Sequence, residues 1–134
     1  MIYHTNITGP GKEGFLQGFI KALELAEQEG TNQMLFSVHT LSNFDEIIKD
    51  SLGDVFFKRF RRDRESLYEG ITVYLETAAT KSAFSQGVAF TPFISTERLA
   101  GILADVRVMD IVYVPWALAD LSSHQQAHAG SLQF

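Results

Sequence analysis

Five side chains at the ends of apolar runs could carry chemistry in this sequence. His39 and Thr40 follow the run at residues 34–38, Glu76 and Thr77 follow residues 71–75, and Trp116 follows residues 111–114 across a proline. An imidazole beside a carboxylate makes an acid–base pair, one group moving a proton while the other orients it. Threonine hydroxyls at the same rim would hydrogen-bond a ligand. His39 and Glu76 meet if their strands are parallel neighbours, as strands joined through a helix often are. A histidine at a strand end also serves as a structural, hydrogen-bonded residue, so the sequence assigns no catalytic group. Trp116 is expected to close the core; the alternative is a rim position where a large aromatic anchors a ligand or partner.

A second group is cationic. Lys58, Arg59, Arg61, Arg62 and Arg64 fall within seven positions, with Phe60 among them and Tyr68 beyond. Arginines flanked by aromatics can hold phosphates or single-stranded nucleic acid, and Arg61, Arg62 and Arg64 have the planar fork that grips phosphate in two places. Asp63 and Glu65 dilute that charge, and cations also favour a helix C-terminus for purely structural reasons. The expected state of this cluster is a solvated helix end.

A third group, Asp120, His124 and His128, recurs every four residues and shares one helix face. Two histidines a turn apart can bind a metal. From first to last, however, the three span about 12 Å of helix rise, too far to converge on one ion. A solvent-facing stripe is expected; the alternative is a metal on His124 and His128 with a ligand from elsewhere, such as His4 or His39. Gly9-Pro10-Gly11-Lys12-Glu13-Gly14 matches G-x-G-x-x-G, yet the preceding strand is weak and no acid ends the following one, so it reads as a turn entering a helix. G-x-S-x-G does not occur. No cofactor and no metal are implied.

These groups need elements to position them. A weak strand is expected near residues 2–7, then a helix over 14–29 with Phe15, Phe19, Leu23 and Ala26 on one face, stopped by Gly30. Strands follow at 33–40, 71–76, 88–93 and 106–114, rich enough in apolar residues to be buried on both faces. Ser42 or Asn43 should cap a helix running from Phe44 to about Phe60 and weakened at Gly53, and Ser95 or Thr96 should cap another. A last helix covers 117–129. The joint at 77–87 is short for a parallel crossover, which normally contains a helix. We therefore expect strands 71–76 and 88–93 to pair antiparallel, dividing the candidate residues between two edges of the sheet.

The fold class is α/β: residues 1–134 as a single three-layer, Rossmann-like domain, with four or five strands in a mainly parallel or mixed sheet and helices on both faces. Its length suffices for a core without disulfides or metal, and there is no cysteine. The net charge of −5 argues against nucleic acid as a main partner. No apolar run approaches the ~20 residues that span a bilayer, and the N-terminus lacks a secretory pattern, so a cytoplasmic protein is expected. The expected function is a small binding or protein-interaction domain without chemistry of its own, able to self-associate. The alternatives are a ligand-binding protein or enzyme using His39, Thr40, Glu76 and Thr77, and anion or nucleic-acid contact through the arginines.

Overall fold

In the computed structural model, which describes residues 1–7, 11–40 and 44–134, strands and helices alternate along most of the chain. The order is β1 (Ile2–His4), α1 (Lys12–Glu29), β2 (Gln33–Ser37), α2 (Asp45–Leu52), α3 (Asp54–Asp63), β3 (Glu65–Tyr68), β4 (Ile71–Glu76), β5 (Gly87–Pro92), α4 (Thr96–Leu103), β6 (Val108–Val114), α5 (Leu118–Ala127) and β7 (Leu132–Gln133). One sheet contains all the strands, ordered β3-β4-β2-β5-β6-β1-β7. Every neighbouring pair is parallel except β3 and β4, which form a hairpin through Glu69 and Gly70. The α/β class and a mixed sheet are therefore present, with seven strands rather than four or five. The two additional strands lie at or near the sheet's edges and bury little: β3 sits in the polar stretch after the arginines, and β7 is two exposed residues.

The antiparallel pairing expected for strands 71–76 and 88–93 does not occur. β2 lies between β4 and β5 and is parallel to both. Residues 77–86 cross the sheet without a helix. The crossing has to cover two strand spacings, about 10 Å, and return roughly one strand length, about 20 Å. Ten extended residues reach about 33 Å, so a helix is unnecessary where side chains of the coil cover the sheet. Phe84 does this: it is buried with Leu35, Ala89, Leu99, Ile102, Ile111 and Tyr113.

The two faces of the sheet are filled by alternate residues of the same strands. Met34 and Phe36, Val88 and Phe90, and Val112 and Val114 point to one side, where α1, α2 and α3 contribute Phe15, Phe19, Ile48, Phe56 and Phe60. Leu35, Ala89 and Ile111 point to the other, under α4 and the crossover. The long helix expected from Phe44 is two helices, broken where Gly53 takes φ 92° and ψ 160°, outside any helical conformation. The proposed caps Ser42 and Asn43 lie outside the described residues, whereas Ser95 caps α4 by accepting the Arg98 N–H at 3.2 Å. In the glycine-rich string, Gly9 and Pro10 are likewise outside them, Gly11 precedes α1, and Gly14 packs on the sheet near Val114. Among the described residues no helix is long and apolar enough to cross a membrane.

Gly18 sets how closely α1 approaches the sheet. A Cβ there would sit 2.6 Å from Val114 Cγ2 and 2.9 Å from Phe90 Cε1. Gly18→Ala gains about 1 kcal/mol of helix propensity but overpacks the core, a cost of about 1–3 kcal/mol. The variant is expected to be less stable than the parent in urea unfolding; equal or greater stability would show that the helix can move outward freely.

Candidate functional site

The parallel sheet brings the C-terminal ends of β2, β4 and β5 to one edge. The chain leaves β2 towards α2 on the first face and leaves β4 and β5 towards the second, so the ends diverge and open a crevice, the usual ligand position in open α/β sheets. A cleft of about 420 Å³ lies here, lined among others by His39, Glu76, Lys81, Glu97, Arg98 and Asp105. β2 and β4 are parallel neighbours, so His39 and Glu76 end on the same edge and share one cleft.

They do not share a proton. Glu76 is 2% exposed, and its carboxylate is engaged on both oxygens. Arg107 reaches it with both terminal nitrogens, Nη2 to Oε1 at 2.9 Å and Nη1 to Oε2 at 2.8 Å, while Ser82 donates its N–H and hydroxyl to Oε2 at 3.0 and 2.7 Å. Burial pushes Glu76 towards its neutral form, but the hydrogen bonds from Arg107 and Ser82 outweigh it and hold the carboxyl below its ordinary value. The same guanidinium donates to Asp105 from Nη2 at 2.7 Å and from Nε at 3.0 Å, and from Nη1 to the Phe84 carbonyl at 3.2 Å. Hydrogen bonds from Arg107 hold Asp105 below its usual value too. His39 is exposed, and its carbonyl accepts the Ala78 N–H at 3.2 Å.

Arg98 is the cation left over. Projecting from the first turn of α4, it donates from Nη2 to the Ser37 hydroxyl at 2.8 Å and at the limit of bonding, 3.5 Å, to the Glu76 carbonyl. Its Nε is buried without an acceptor. Among the described residues no carboxylate pairs with it. Burial lowers its affinity for a proton, and nearby Glu76 offsets this only in part. Neither Arg98 nor Arg107 stands out in the sequence: one is an ordinary helix residue, the other falls inside the strand expected at 106–114.

The remaining candidates occupy varied positions. Thr40 is exposed. Thr77 closes a turn, its hydroxyl 2.8 Å from that of Thr80 and accepting the Ala79 N–H. Trp116 does not close the core; it is 49% exposed and meets Phe93 edge-on at 5.2 Å, with Phe93 stacked on Phe44. In the basic cluster, Arg61 pairs with Asp45 at 3.4 Å, Arg62 with Asp63 at 2.8 Å, and Arg64 donates to Thr80 at 3.4 Å. The stripe on α5 is not solvated throughout: His124 is 4% exposed, against Tyr113 and His4. Among the described residues no three histidines or carboxylates converge as metal ligands.

Comparison with protein-family models, with curated proteins and with solved structures finds no match to this chain.

Arg107→Met would strand the buried Glu76 carboxylate. Removing one partner of a buried pair costs about 3–5 kcal/mol, and that loss is expected in urea unfolding at pH 7. Because the folded-state value of Glu76 is depressed, the pair stabilises fully above the ordinary glutamate range and is lost as pH falls through the folded value. The gap between parent and variant should therefore narrow at pH 3.5. A gap that is absent at pH 7, or independent of pH, would contradict this role.

Proposed function

We propose that this chain is a small ligand-binding domain whose cleft, between the ends of β2 and β4 and the start of α4, takes an anionic group such as a carboxylate or phosphate. The observation that carries the reading is Arg98. A half-buried guanidinium whose only hydrogen bonds go to a hydroxyl and a backbone carbonyl retains charge and donors for a ligand anion. Glu76 and Asp105 share the single positive charge of Arg107, which leaves that trio at −1, and Glu97 in the same lining is set against Arg98 and Lys81. Lys81 and His39 stand at the rim. Lys81 reaches Glu76 only at 3.9 Å with its side chain 82% exposed, so it is free to turn towards a ligand.

Binding is favoured over catalysis because the acid–base pair suggested by His39 and Glu76 is divided, its carboxylate consumed by a structural ion pair. The arginine cluster on α3 is a weaker phosphate site, since Arg61 and Arg62 each have an aspartate beside them. A cysteine-free chain with this architecture suits a cytoplasmic setting.

A panel of phosphate, sulfate, dicarboxylates and mononucleotides, followed by thermal shift and calorimetry, tests the proposal. At least one anion should stabilise the parent in a salt-dependent manner. Arg98→Met should weaken that anion by about 10–100-fold, the worth of a charge-assisted hydrogen bond of roughly 1.5–3 kcal/mol, whereas Arg61→Met should leave it unchanged. No response across the panel, or equal binding by Arg98→Met, would sink the reading.

A further inference from the structure

A second buried polar cluster lies at the opposite side of the sheet, and it is built on neutral groups. His4 ends β1 and is 3% exposed; His124 on α5 is 4% exposed, and their rings meet edge-on at 5.1 Å. The hydroxyl of Ser131 sits between them, 2.7 Å from His4 Nδ1 and 2.9 Å from His124 Nε2. The far nitrogens, His4 Nε2 and His124 Nδ1, are buried without partners. A single hydroxyl has one proton to give. It can bridge two neutral imidazoles, donating to one and accepting from the other, but two imidazolium rings would leave its own hydrogen without an acceptor.

The charged groups around the cluster offer little compensation. His128 lies 5.0 Å from His124, and Tyr113 lies 4.6 Å from it on β6. Asp120, on the same helix, lines a small neighbouring cavity with His124 and His128, yet its carboxylate already accepts the Ala117 N–H. That cavity is about 10 Å³, room for one water at most.

What Ser131 holds is the segment that follows. β7 joins the sheet through Tyr3↔Leu132 and His4↔Gln133, with Leu132 and Gln133 exposed; the Phe134 N–H donates to the His4 carbonyl at 3.1 Å, and the Phe134 ring, part-buried against the core with Lys21 5.9 Å from its centre, is the segment's one apolar anchor among the described residues. We propose that the His4–Ser131–His124 bridge is a pH-sensitive latch: mild acid charges the histidines, breaks the bridge and releases residues 131–134 from β1 while the rest of the sheet stays folded. Release would uncover the backbone edge of β1, a strand free to pair with another chain. The direction follows from linkage. Burial, then His4 and His128, lower His124 to about 4, against 6.5 for a free histidine, and burial lowers His4 as well. Between those two pH values the form in which His124 regains solvent holds a proton that the latched form does not, so each step down favours release.

Amide hydrogen exchange on the whole chain, corrected for intrinsic rates, tests the latch. Between pH 7.5 and 5.0 the Phe134 amide, which donates to the His4 carbonyl, should lose protection by up to about 30-fold for His124 alone, while amides of β2 and β4 keep theirs. His124→Phe keeps a ring against Tyr113 and should flatten that dependence. Ser131→Ala, which leaves both histidines in place, should expose the segment at every pH. Unchanged protection in the parent, simultaneous opening of β2 and β4, or the parent's pH dependence persisting in both His124→Phe and His4→Phe would each overturn the proposal.

Discussion

A sheet in which β4 and β5, parallel strands on either side of β2, are joined by ten residues of coil needs something other than a helix to hold that coil down, and in this chain Arg107 supplies it. The guanidinium enters at the start of β6, lies 5.3 Å from the centre of the Phe84 ring, bonds the Phe84 carbonyl and forks onto Glu76. Ser82, also in the crossover, completes the Glu76 carboxylate, and Ser85 is tied to Gln33 at the foot of β2. The crossover is thus fixed at both ends by polar contacts and in the middle by one buried aromatic. Phe84 alone could not choose a path across the sheet, because apolar contact is non-directional. The bidentate pair can, since its geometry is met in only one orientation.

That constraint sets the position of the cleft. Once residues 77–86 return to the opposite edge of the sheet, β5 must run parallel to β2, and the ends of β2, β4 and β5 gather beside the start of α4. Arg107 also satisfies the acids of the region, which leaves Arg98 as the cation with unmet capacity. The site proposed for an anion is in this sense a by-product of how the crossover is secured.

Two of the buried polar clusters among the described residues solve the cost of burial in opposite ways. Glu76, Asp105 and Arg107 stay ionised because each charge has an opposite charge within hydrogen-bonding distance, so their environment favours the charged forms. His4, His124 and Ser131 have no bonded counter-charge, and burial favours neutral rings. The first cluster ties the middle of the sheet; the second ties only its edge, where few contacts support β7. The cluster that resists charging therefore lies beside the sheet's weakest element, where the proposed response to acid would be felt first.

Much of the layer structure was legible in the residues themselves. Apolar runs such as 34–38 and 111–114 are buried on both sides, and the periodicity of α1 and the cap at Ser95 act over a few neighbours, so local pattern was enough. β3 and β7 carry no such pattern because an edge strand need not bury both faces. Strand direction at residues 77–87 is not legible locally, since the usual length of a crossover assumes a helix, and nothing nearby reveals that Phe84 and a guanidinium 23 residues further on can replace one. Likewise His39, Glu76 and Trp116 could be placed at strand ends from sequence, but their environments could not. The carboxylate of Glu76 is claimed by Arg107, the orphaned cation is Arg98, and His124 meets His4 across 120 residues. The sequence by itself determined where strands and helices form, because those preferences are short-range. The tertiary structure alone decided which charges are paired and which are left open, because that depends on contacts between segments far apart in the chain.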